Sequence, residues 1–281
     1  MTSPNHHHGR VATRWLSLVV GLALLAILAT LLVWRAKRVG ASLNNTQMEQ
    51  DLTHINHPRR TQHALSLVAD AMIRGDQSAD RWYPDIARLA GCPNPRIREM
   101  AAWVMGHGNT VARFHETLLR LLHDPETLVR MNAALALVRF HDASGHAEII
   151  RMLTGEPLLA PEPGRLKRML YVGQSVRTDT VVARIITGRK DMDVLAGVPG
   201  SLARWTAAGG ATVAAGDPIA VLAPTPTMVR EALHALFLIG RPGDLNVIAP
   251  YARGLPGTSV KVTEQARYTM QQIRDRDHSG S

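Results

Sequence analysis

Residues 124–138, DPETLVRMNAALALV, and residues 93–106, PNPRIREMAAWVMG, carry one helical pattern twice. Val129-Arg130 precedes the alanine pair Ala133-Ala134, and Ile97-Arg98 precedes Ala101-Ala102, at a shift of 32 positions. Paired alanines let a second helix approach closely, and a period of about 30 to 45 residues is what stacked helical hairpins need to bury a shared core. Each copy opens with a capping residue and a proline, Asn94-Pro95 and Asp124-Pro125, a combination suited to the start of a helix. The pattern predicts helices running to about His107 and Phe140.

Partner helices follow each copy. Phe114, Leu118, Leu119, Leu121 and Leu122 recur at helical spacing, as do Ala147, Ile149, Ile150 and Leu153. An earlier hairpin starts at Pro58 with Ala64, Leu65, Leu67, Val68, Ala71 and Met72, turns at Gly75, and returns over 79–89 before Gly91. Three helical hairpins thus fill 58–154. Asp-Pro, then Val-Arg, then an alanine-rich face resembles the HEAT repeat. The resemblance covers 58–154 and, more loosely, 226–275, where Val229-Arg230 is followed by Leu233-His234 in place of the alanine pair. Helices over 228–239, 245–252 and 259–273 are expected to pack back on the earlier hairpins, leaving a polar tail at 276–281.

Between these stretches the period changes. VRTDTVVARI (176–185) clusters β-branched residues, a polar turn runs through Gly188-Arg189-Lys190-Asp191, and Pro199-Gly200, Gly209-Gly210 and Ala215-Gly216-Asp217 punctuate short apolar runs. The stretch 165–223 resembles the biotinyl/lipoyl-like barrel-sandwich hybrid, as found in membrane-fusion adaptors. Glycines at tight turns around a small core account for the pattern. The expected fold class is multidomain: a single transmembrane helix, then a helical HEAT-like array interrupted by an all-β barrel-sandwich hybrid domain.

The membrane expectation comes from 15–34, WLSLVVGLALLAILATLLVW, twenty residues without a charge. At about 1.5 Å per residue it is long enough for a hydrocarbon core of about 30 Å. Trp15 and Trp34 end it, where indole rings favour the interface, and Arg14 and Arg35 bound it directly. A tail (1–14) precedes it and a polar tether (35–57) follows. Arg10 and Arg14 nearly balance Arg35, Lys37 and Arg38, so charge counting leaves the orientation open. These five cations, with no acid in 1–38, also leave only +4 of the net charge of +9 for the remainder, which argues against a nucleic-acid partner.

Residues suited to chemistry are sparse. A single cysteine, Cys92, excludes an intrachain disulfide and a multi-cysteine metal site. No nucleophile elbow, phosphate loop or H-E-x-x-H pair is present. The cluster His6-His7-His8 and the scattered His54, His57, His63, His141 and His146 lack a carboxylate at metal-ligand spacing, so no metal or other cofactor is expected. Lys190 falls where the carrier proteins resembled by the β segment bear biotin or lipoate, which makes a modified carrier the alternative reading. Arg98, Arg130 and Arg230 share one repeat position and suggest either an internal ladder or a basic stripe. Trp82, Trp103 and Trp205 are read as core or interface packing rather than a stacking platform. The expectation is a non-enzymatic, membrane-anchored adaptor that binds protein partners. Its place is the bacterial cytoplasmic membrane, with the folded part leaning periplasmic.

Overall fold

The computed structural model describes residues 45–279 apart from Arg189 and Pro256. Contacts divide the chain after Asp51, and the unit Leu52–Ser281 contains the array and the sheets. The expected span with Trp15, Trp34, Arg14 and Arg35, the tail at 1–14 with its three histidines, and residues 35–44 of the tether lie outside the described residues.

After α1 (Asn45–Thr53), α2 (Pro58–Ile73) leads through a 3-10 turn (Gln77–Trp82) into α3 (Tyr83–Leu89). The next hairpins are α4 (Pro95–Met105) with α5 (Ala112–Leu121), and α6 (Thr127–Arg139) with α7 (His146–Thr154). The first helices stack side by side, α2 on α4 and α4 on α6. Ala101, Ala102, Ala133 and Ala134 are fully buried there, so the short side chains set the helix spacing. The approach is closest at the turn before α7, where a Cβ on Gly145 would lie 2.5 Å from the Ala134 Cβ and 2.6 Å from its Cα. Leu65, Ile97, Phe114, Leu118, Leu137 and Ile149 fill the interior, each contributing roughly 1.5–3 kcal/mol of apolar burial.

The stack resumes with α8 (Pro226–Ile239), a 3-10 turn (Pro242–Asp244), α9 (Leu245–Ala252) and α10 (Val260–Ser279). Helix α8 packs on α7 and α6. Met131, Ile149 and Leu153 share one core with Val229, Leu233, Leu236, Ile248 and Ile273. Polar links tie the same helices: the Tyr251 hydroxyl donates to the Leu153 carbonyl at 2.6 Å, and His146 Nε2 lies 2.8 Å from Asp244 Oδ2.

The eight strands fall between α7 and α8: β1 (Glu156–Leu159), β2 (Gly164–Arg168), β3 (Ser175–Val176), β4 (Val181–Ile186), β5 (Met192–Leu195), β6 (Gly200–Trp205), β7 (Thr212–Val213) and β8 (Pro218–Pro224). They form two antiparallel sheets of order β1-β8-β6-β3 and β5-β4-β2-β7. One core serves both, with Leu158, Val176, Leu202 and Leu222 from the first sheet and Leu166, Val182 and Ile185 from the second. Entry and exit are neighbours, because β1 pairs with β8 and places Glu156 opposite Leu222. Gly155, at φ +91°, makes the turn into β1, and a Cβ there would meet the Leu222 carbonyl oxygen at 2.4 Å.

The expected fold class is corrected by these observations. The β segment is two separate small sheets with open edges, since β3 and β7 contribute two residues each and cannot close a hydrogen-bonded ring. The described residues form a mixed α and β body of ten helices and two sheets. Among them no helix is long and apolar enough to cross a membrane. Leu170, Tyr171 and Val172, within the stretch 165–223 expected to be β, stand in the β2–β3 loop, with Tyr171 and Val172 exposed.

Gly145→Ala is expected to destabilise the protein by about 1–3 kcal/mol, because the added methyl meets backbone that must shift. Gly91→Ala, whose Cβ would meet nothing closer than the Arg88 carbonyl oxygen at 3.5 Å, is expected to be close to neutral in the same chemical denaturation measurement.

Candidate interaction site

The shared arginine position behaves in two ways. Arg98 forms a bidentate pair with Asp124, Nε to Oδ2 at 2.7 Å and Nη2 to Oδ1 at 2.8 Å. Its Nη1 donates to the carbonyls of Cys92 and Pro93. Arg130 repeats the second half, with Nη1 donating to the carbonyls of Asp124 and Pro125, and its Nε reaches Glu148 Oε1 at 3.3 Å. Each guanidinium thus holds the turn before its own helix and an acid further along the chain, Asp124 before the next hairpin for Arg98 and Glu148 on the second helix of its own hairpin for Arg130. Among the described residues Arg230 does not join this ladder; it is half-exposed and its ion pair is with the neighbouring Glu231, at 3.8 Å.

Asp124 also corrects the expected helix start. Asn94 caps α4 by accepting from the Arg96 N–H, whereas α6 begins later, at Thr127, and Asp124 accepts from the Glu126 N–H and from Arg98. Burial pushes the Asp124 carboxyl up, but those hydrogen bonds and the charges of Arg98 and Arg130 outweigh it and hold its pKa below the ordinary value. Buried Cys92 supplies a carbonyl to the ladder.

A groove of about 630 Å³ opens where this array meets the sheets. Met100 and Trp103 of α4 and Leu128 and Val129 of α6 form one wall; Thr178, Leu195 and Gly197 form the other. Trp103 is 40% exposed and Leu195 50%, large apolar groups left open to solvent. Leu128 packs against both the helical core and the sheet core, so the walls share a hinge point. A hollow of about 240 Å³ continues past Trp103 and Asn132 to Leu238 on α8. Burial pushes the Glu99 carboxyl in the groove up, against the opposing charge of Arg96.

Trp103 is braced from behind. Its ring meets His107 edge-on at 4.7 Å, and Arg139 Nη1 lies 2.9 Å from His107 Nδ1. Burial, followed by the Arg139 charge, pushes the His107 pKa down, which favours a neutral ring accepting at Nδ1.

The other residues singled out from sequence do not converge here. Lys190 stands in the β4–β5 connection, its backbone N–H donating to Thr187 Oγ1 and its carbonyl accepting from that hydroxyl. His57 precedes α2, His141 sits in the turn after α6 at φ +59°, and His146 pairs with Asp244 across repeats. Among the described residues, no three His, Cys, Asp or Glu side chains cluster to hold a metal. Trp82 is buried, and Trp205 is stacked by Arg168 at 5.0 Å. Sequence reasoning allowed Trp103 core or interface packing but did not place it in a groove; a tryptophan on the opposite face of α4 from Ile97, Ala101 and Val104 was the available signal.

Comparison with known families places one module on this geometry. A HEAT repeat model matches residues 116–143, the stretch that contains most of α5, all of α6 and the turn after it. No curated protein matches the chain. HEAT repeats commonly mediate protein interactions, and this one contributes Leu128, Val129 and Asn132 to the groove.

Arg98→Ala is expected to cost about 3–5 kcal/mol in urea denaturation, since it strands the buried Asp124 carboxylate and releases the Cys92 and Pro93 carbonyls. Arg230→Ala should stay within about 0.5 kcal/mol. The Asp124 contribution is present above the unfolded carboxyl pKa of about 3.9 and lost as pH falls through the lower folded value. Asp124→Asn should accordingly flatten the acid limb of the stability profile.

Proposed function

We propose that this chain is a non-enzymatic protein-interaction scaffold whose groove between α4, α6 and the sheets takes an apolar segment of a partner protein. The observation that carries this reading is the exposure of Trp103 and Leu195 on facing walls of one concave site built partly by the HEAT-matching stretch. Large apolar side chains around a hollow are the usual anchors of protein contacts. The finer reading is an adaptor attached to a bacterial cytoplasmic membrane; the apolar stretch 15–34 supports attachment, and the scarcity of net charge beyond residue 38 supports protein rather than nucleic acid as partner.

Crosslinking and pull-down of the full chain from membranes tests the reading. Trp103→Ala should weaken partner capture by about 2 kcal/mol, roughly thirtyfold, while Tyr268→Ala, an exposed site on α10, should leave it unchanged. Equal capture by both variants would contradict the groove as the contact. The intact mass of the chain is expected to show no addition at Lys190; a lipoyl or biotinyl mass there would establish the carrier alternative.

A further inference from the structure

Two glutamates are joined through Thr127 and Arg130 where the array hands the chain to the sheets. Glu148 lies on α7, and Glu156 is the first residue of β1, directly after the Gly155 turn. Thr127 of α6 donates its hydroxyl to Glu156 Oε1 at 3.1 Å, and that hydroxyl accepts from Arg130 Nη2 at 3.0 Å. Arg130 Nε and Arg151 Nη1 both approach Glu148 Oε1 at 3.3 Å. The second oxygens, Glu148 Oε2 and Glu156 Oε2, are buried without a hydrogen-bond partner. A buried acceptor left bare costs about 1–3 kcal/mol, and more when charged.

The surroundings of Glu156 bias it towards holding a proton. Burial pushes the Glu156 carboxyl up, and the Glu148 charge adds to it; the Thr127 hydrogen bond and the charges of Arg151 and Arg130 act in the opposite sense without cancelling it. Strand β8, which pairs with β1, places Leu222 opposite Glu156 and carries no titratable side chain in PIAVLAP. A proton on Glu156 turns a bare acceptor into a donor and removes a charge facing Glu148.

We propose that Glu148 and Glu156 form a proton-operated clasp that fixes the sheets against the array and thereby sets the width of the groove. The inference rests on the interaction reading, since that groove has one wall on each module. Because the folded pKa of Glu156 is raised, the clasp is firm below the ordinary carboxyl pKa and loosens as pH rises through the raised value. The two walls are then closest together at the acidic end of the range.

The test is a distance measurement across the groove in the full chain in detergent, with spin labels on Arg96→Cys and Leu195→Cys in a Cys92→Ala background. From about pH 4, below the ordinary carboxyl pKa, to about pH 8 the distribution should move to longer, broader distances. Glu156→Gln, which supplies an N–H at every pH, should keep it short throughout, and Glu148→Gln should also flatten the dependence. A pH-invariant distribution in the parent, or an unchanged shift in both variants, would overturn the clasp. Partner capture measured alongside separates the two readings: a shifting distance with capture insensitive to Trp103→Ala overturns the groove contact and leaves the clasp standing.

Discussion

Backbone pairing between β1 and β8 is the constraint on which the remaining architecture depends. With Glu156 opposite Leu222 and Leu158 opposite Ala220, the strands that leave and re-enter the array run side by side, at the usual strand spacing of about 4.8 Å. That spacing is short enough for α8 to take the position beside α6 and α7 that it would occupy without any insertion. The array stays continuous because each helical repeat contacts only its neighbours and tolerates a long excursion in a connecting turn. Glycine at 155 permits the pairing, since a side chain there would collide with the Leu222 carbonyl.

Continuity of the stack in turn depends on how each turn is held. Arg98 and Arg130 each gather two carbonyls from the turn preceding their helix; Arg98 also takes Asp124 from the next hairpin and so joins two levels, while Arg130 reaches Glu148 on the second helix of its own hairpin. Where the arginine ladder ends, His146 and Asp244 make the cross-repeat link, and the Tyr251 hydroxyl closes on α7. These polar contacts surround apolar layers that the alanines bring within close reach. The groove is a by-product of the same arrangement: the sheets must lie beside α6, and the unfilled angle between them and α4 leaves Trp103 uncovered.

What the sequence disclosed was local. The alanine pairs, the Asn94-Pro95 start and the equivalence of Arg98 and Arg130 lie within single helices or one turn, where spacing carries the information. The family match at 116–143 covers the second copy of that pattern. Asp124 was harder to read, because a residue that looks like a helix cap is claimed by a guanidinium 26 positions earlier. The strands β3 and β7, two residues each, carry no periodicity, and Leu170 to Val172 has β composition without β pairing. Glu156 follows a glycine that reads as a helix stop, so nothing local marks it as facing Glu148. Trp103 looks like core until its position on α4 is set against the neighbouring helices.

The central claim is that helices on either side of the β insertion form one cooperative stack. Native-state hydrogen exchange of the full chain measures this directly, residue by residue. Slowly exchanging amides of α6, α7, α8 and α9 should share one opening free energy and lose protection together as denaturant is added. If the amides of α8, α9 and α10 instead opened as a separate, less stable unit while α6 and α7 stayed protected, the continuous array would be contradicted.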